Sequence, residues 1–262
     1  MAQPLTVHAA RPDTPRSAMS LLSWRATITT TAILLVLAAV AWFLAWRQMS
    51  GMMLMDLTIP LFMLMWLTMM VAMMFPTVAP MVLAHRMVVM QRREGSLPTV
   101  VFVAGYLLIW AVIGLVPLAG VLLYQAFAMN IDARWLTVAG GAVLVIAGLY
   151  QFTPWKSFCL THCRTPMHFI LTHDFGGGSP AALRAGVSHG LYCPGCCWAL
   201  MAVLVIVGLM SLVWMAVIAL VFLLEKNWRY GVATSKVAGV AVTVLGLAVA
   251  IVPGLLPKLG GF

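Results

Sequence analysis

The sequence predicts an all-α, polytopic transmembrane helical bundle of about seven spans, with six as the alternative. Three observations predict it. Hydrophobic residues make up 63% of the 262 positions and charged residues only 8%, with a mean hydropathy of +1.05. Soluble domains carry about 25% charged residues, and this chain cannot supply so polar a surface. The apolar residues fall in runs of roughly the 20 residues that a bilayer-spanning helix needs. The basic residues sit in short groups between those runs, and this pattern reports topology rather than a nucleic-acid surface despite the net charge of +9.

Residues 1–26 contain Pro4, Pro12, Pro15, Arg11, Arg16 and Arg25 and read as a disordered cytoplasmic tail. The first span runs from Thr27 to Trp46 and ends on an aromatic anchor, Trp42 and Trp46, beside Arg47. The run is too long, and its basic flank too extended, for a cleaved secretory signal. A Met-rich connection from Gln48 to Asp56 leads to the second span, Leu57 to Ala84, where Pro76 and Pro80 predict a kink near Phe75. A loop from His85 to Glu94 precedes the third span, Thr99 to Phe127. Asn130 to Arg134 form a tight turn, and Trp135 to Phe152 the fourth span.

A Cys/His-rich cytoplasmic connection follows at 153–190, with Gly176 to Pro180 as its flexible part. The apolar stretch from Val187 to Leu224 is too long for one span, and a break at Gly208 to Ser211 divides it into two. The last span is Val232 to Leu256, so that 27–256 form one helical domain and 257–262 a short C-terminal tail. With the N-terminus in the cytoplasm, this seven-span arrangement leaves only Arg47, Arg134 and Lys258 on the outer side. A six-span arrangement moves Lys226, Arg229 and Lys236 outside and fits the positive-inside rule less well.

All five cysteines fall between Cys159 and Cys197. Cys159, His162 and Cys163 make one group, in which the two cysteines share a face if the segment is helical. His189, Cys193, Cys196 and Cys197 make the second, with His189 and Cys193 one turn apart and Cys193 and Cys196 in a C-x-x-C. His168, His173 and Asp174 lie between them. Thiolates and imidazoles suit copper(I) and zinc, and two such groups can close one site around a metal ion. A lone membrane cysteine is usually a small apolar filler. The alternative chemistry is thiol–disulfide exchange at Cys193 and Cys196, since a thiol at a helix start gains thiolate character.

Methionine is the second anomaly: 20 are present, most of them between Met49 and Met90. Met63, Met70, Met74 and Met81 fall on one face of a helix, and Met65, Met69 and Met73 on a second row. Thioethers favour copper(I), so the first row, ending at His85, traces a path for a soft cation. The plainer reading is that methionine fills irregular helix contacts. Glu225 is expected to pair with Lys226 or Arg229, or to cap its helix.

Four segments taken together resemble a bacterial family described as predicted metal-binding integral membrane proteins. They are Met69 to Pro76; Tyr150 to Lys156 with Cys159, Leu160, Cys163 and Arg164; Gly190 to Trp198; and Leu224 to Lys226. The resemblance extends from about Trp42 onward, with Pro194 standing where the family pattern has an aliphatic residue. It implies a multi-pass protein of the bacterial inner membrane that binds a metal ion, copper or zinc.

Three functions remain open from the sequence. The first is metal handling or transport by a membrane protein that works with the lipid bilayer and with a membrane or metallochaperone protein partner, and not with nucleic acid. The second is a membrane thiol–disulfide oxidoreductase, and the third a non-catalytic membrane-complex subunit. The chain contains no P-loop, no H-E-x-x-H and no dinucleotide fingerprint, which argues against ATP-driven transport by this chain alone.

Overall fold

A computed structural model describes residues 14–49, 58–127, 133–166, 177–208 and 211–252, and every regular element among them is an α-helix. In chain order these are α1 (Thr14–Met49), α2 (Ile59–Gln91), α3 (Leu97–Ile113), α4 (Leu115–Phe127), α5 (Ala133–Tyr150), α6 (Pro154–Arg164), α7 (Gly178–Gly208), α8 (Leu212–Asn227) and α9 (Gly231–Ile251). Among the described residues, five stretches are long and apolar enough to cross a membrane: Trp24–Gln48, Ile59–Gln91, Leu97–Leu123, Gly178–Val207 and Gly231–Ile251. Thr137–Tyr150 and Pro154–Arg164, bent by 63° at their junction, make a sixth if counted as one span. At 1.5 Å per residue the 16 residues of α8 cover about 24 Å, short of a bilayer core of about 30 Å.

Several boundaries differ from the sequence reading. α1 begins at Thr14, where the sequence suggested a tail up to residue 26. α2 passes through Pro76 and Pro80 as one helix and carries His85 within it rather than in a loop. The described residues of the connection at 153–190 are mostly helical; Pro154 at the first helical position and the Thr153 side chain, which accepts from the Lys156 N–H, start α6. α7 begins at Gly178, whose φ of +63° a side chain would oppose. The expected break after Gly208 is present, with Ser211 preceding α8; Leu209 and Met210 lie outside the described residues, as do His168, His173 and Asp174.

α2 and α7 form the centre of the bundle; 67% and 61% of their most apolar windows are buried, against a third or less for α1, α3–α4 and α9. The closest pairings are α5 with α9, α3 with α7 and α1 with α2. Small residues permit the first two. A side chain on Gly148 or Gly141 would meet the backbone of α9 at Gly239 or Gly246, and one on Gly186 would meet that of α3 at Phe102. Such contact brings the backbones closer than larger side chains would allow. Indole N–H groups tie the remaining layers, Trp42 donating to the Ala72 carbonyl at 3.1 Å and Trp66 to that of Trp110 at 2.9 Å. The outward surface is apolar, with Leu35 and Val36 on α1, Val100 and Leu108 on α3, and Val237 and Val244 on α9 all exposed.

Candidate metal centre

α6 and α7 deliver the cysteines. On α6, Lys156, Leu160 and Cys163 follow one another at helical spacing, and Lys156 and Leu160 are buried. On α7, His189, Cys193 and Cys196 repeat the same 4-3 spacing, Leu200 adds a further turn, and all four are buried. The two stripes face each other where Gly195 leaves room. A side chain there would strike the Cys159 thiol, and the Tyr150 hydroxyl instead donates to the Gly195 carbonyl at 2.7 Å.

The result is a convergence of three thiols. The sulfurs of Cys163, Cys193 and Cys196 all lie within 4.8 Å of one another, with Cys196 and Cys163 at 3.7 Å. Three thiolates bound to one ion at about 2.3 Å would lie about 4 Å apart, so the trio needs only small adjustments to close on a metal. A set made only of soft sulfur suits copper(I). All five cysteines are free thiols.

The other sequence-predicted ligands lie around this trio. Cys197 Sγ is 3.4 Å from Cys196 Sγ and fully buried. Cys159 is half-buried on α6, one turn before Cys163. His162 stacks on Tyr192 with centroids 4.6 Å apart, and His189 on Tyr106 at 5.8 Å. Neither histidine belongs to the close thiol group. Of the methionine path, Met70, Met74 and Met81 are buried and Met63 is half-buried, while His85 is buried against Phe102. Met65, Met69 and Met73 are equally buried, so both rows of α2 serve the core.

Sequence reasoning missed the polar groups that surround the thiols. The Tyr106 hydroxyl lies 3.2 Å from Cys193 Sγ. Lys226 donates to Cys193 Sγ at 3.1 Å and approaches Met74 Sδ at 3.7 Å. Lys156 donates to the Cys196 carbonyl and pairs with Glu225 at 2.7 Å. That pair corrects the expected partnership of Glu225 with Lys226 or Arg229: α8 points Glu225 at α6 and Lys226 at α7. Arg164 closes the arrangement by donating to the Trp228 carbonyl at 2.6 Å, which holds the α8–α9 turn against the end of α6. The signal for Lys156, Arg164, Glu225 and Lys226 was their place in the segments that carry the resemblance, Tyr150 to Arg164 and Leu224 to Lys226; Tyr106 had none.

Electrostatically the site sets three thiols beside one buried ammonium, that of Lys226, at hydrogen-bond distance from Cys193. Three thiolates around one monovalent cation would carry a net charge of −2, part of which that ammonium would offset. The Lys156–Glu225 pair is internally neutral and anchors the Cys196 backbone. No curated relative and no solved structure matches the chain. Residues 63–249, which include α3 to α8 whole, all five cysteines, Lys156 and Glu225, match the family PpoB2, described as copper chaperone, and the chain therefore belongs to that copper-chaperone family.

Proposed function

We propose that this chain is a multi-pass membrane protein that takes copper(I) as cargo on Cys163, Cys193 and Cys196 and passes it to a protein partner. The convergence of three thiols from two helices within 4.8 Å carries the reading, and the family supports copper as the ion. The apolar outward surface is covered by lipid, and the seven-span arrangement keeps α6 and the thiol trio toward the cytoplasmic side. There reduced thiols persist. Cys197, Cys159, His162 and His189 act around the trio, as alternative or transfer ligands.

Thiol–disulfide exchange is the less favoured reading. It requires a thiolate that an outside disulfide can reach, and Cys193 and Cys196 are both fully buried. The deciding experiment is elemental analysis of the full chain purified in detergent under reducing conditions after Cu⁺ loading. Copper near one ion per chain, lost in a C163S/C193S/C196S variant, is expected. Equal copper in both proteins would refute the reading.

A further inference from the structure

Lys226 is a cation set among soft donors. Its ammonium is buried and lies 3.1 Å from Cys193 Sγ and 3.7 Å from Met74 Sδ, with the Phe222 ring centroid 5.9 Å away. The nearby carboxylate of Glu225 is bound to Lys156 instead. A buried lysine normally finds a carboxylate or several oxygen acceptors, because ammonium is strongly hydrated and costly to bury. Here the groups at its ammonium are the Cys193 thiol, the Met74 thioether and an aromatic face, with the Tyr106 hydroxyl on the same thiol and Cys196 and Cys197 nearby. The first two are ligands that select copper(I).

We propose that the Lys226 ammonium marks a second copper position, a transfer station between Met74 Sδ and Cys193 Sγ, and that the lysine is a tethered stand-in cation which arriving Cu⁺ must displace. The inference rests on the thiol trio being the copper site. Met74 belongs to the buried α2 row with Met70 and Met81, and it is the member of that row placed against the lysine. Cys193 is shared between the station and the trio. Copper received by the Met74 thioether therefore needs only to exchange a thioether for the thiolates of Cys163 and Cys196 to reach its final place, while keeping its bond to Cys193. No change of oxidation state is involved; each protein thiol that binds copper gives up its proton, which the thiolate of the departing copper carrier or solvent takes up. The lysine chain swings aside during this step and afterwards offsets the charge of the filled trio.

The two roles open to Lys226 differ in sign. A stand-in cation competes with copper, so removing it speeds loading. A lysine that only neutralises the bound trio helps copper, so removing it weakens binding and leaves loading no faster. The test uses the full chain in detergent under reducing conditions, with Cu⁺ supplied as its glutathione complex and occupancy followed by a chromophoric Cu⁺ chelator. If the lysine leaves the position free only about a tenth of the time, K226Q loads about tenfold faster than the parent. K226R, which keeps a fixed cation, loads at or below the parental rate. M74L, a volume-conserving change, slows loading with the parental lysine in place and cancels the acceleration in the K226Q background. Loading of K226Q no faster than the parent overturns the inference, and so does an M74L rate equal to the parent's. The M74L measurement stands alone if K226Q does not fold. Failure of the parent itself to bind copper refutes the trio reading instead, and is seen before any variant is made.

Discussion

Lys156 on α6 and Glu225 on α8 form a buried ion pair, with Nζ and Oε2 2.7 Å apart and both side chains at most 1% exposed. The same ammonium donates to the carbonyl of Cys196 on α7, so one group ties together the three helices that build the thiol site. A pair in this position holds geometry more than it adds stability, because burying both charges consumes much of their attraction.

Breaking that pair should be costly. K156M or E225Q leaves one partner without its counterpart in an apolar interior, at about 3–5 kcal/mol, whereas K156M/E225M removes both charges and recovers much of the loss. Thermal unfolding of the detergent-solubilised variants measures this. The expected order is parent and double variant close together and both single variants well below. A double variant no more stable than the singles would show that the pair is net stabilising.

The trio and its surroundings should respond differently to cysteine replacement. C163S and C196S remove a sulfur from the close group and should lower copper affinity by more than the about 10–100-fold typical of groups that only support a ligand. C159S, one turn away on α6 and half-buried, should fall within that range or below it. Competition with a Cu⁺ chelator ranks the variants, and a C159S loss equal to that of C163S would enlarge the site by one turn of α6 to include Cys159.

Much of this was readable in advance, and the residues show where reading stops. The apolar runs gave the helices, since length and hydropathy report directly on what a bilayer requires. The i, i+4 relations of Cys159 with Cys163 and of His189 with Cys193 were visible because helical period alone decides them. Which of these groups meet depended on long-range packing: Gly195 lets α6 approach α7, and the 63° bend after Tyr150 turns Cys163 toward Cys193. Lys156 and Lys226 were read as topology charges because a sequence gives charge but not depth. The partner of Glu225 was misjudged for a related reason, since residues 69 positions apart in sequence leave no local signal.

The α5–α9 contact depends on absent side chains. A side chain at Gly148 meets the Thr243 hydroxyl and the backbone of Gly239, so no flexible neighbour can yield. G148L should cost more than the about 1–3 kcal/mol of ordinary overpacking, because it drives the two helices apart along their length. G120L, on α4 where a side chain meets open space, is the control and should leave the melting temperature near that of the parent. Equal melting temperatures for the two variants would mean that α5 and α9 do not hold this contact in detergent.

The side of the membrane on which the chain's last helix ends tests the seven-span arrangement. α8 has 16 residues, or about 24 Å of helix. It can span only if the flanking residues Ser211 and Trp228 lie at thinned interfaces, an adjustment that costs a fraction of a kcal/mol per Å of mismatch. With the N-terminus in the cytoplasm and α8 spanning, α9 returns to the outer side and residue Phe262 lies outside. A phosphatase that works only outside the cytoplasm, fused after Phe262, should then be active, and a cytoplasmic fluorescent reporter at the same place dark. The reverse pattern would make α8 a non-spanning helix. Lys226, Arg229 and Lys236 would then lie on the outer side, as the six-span arrangement has it.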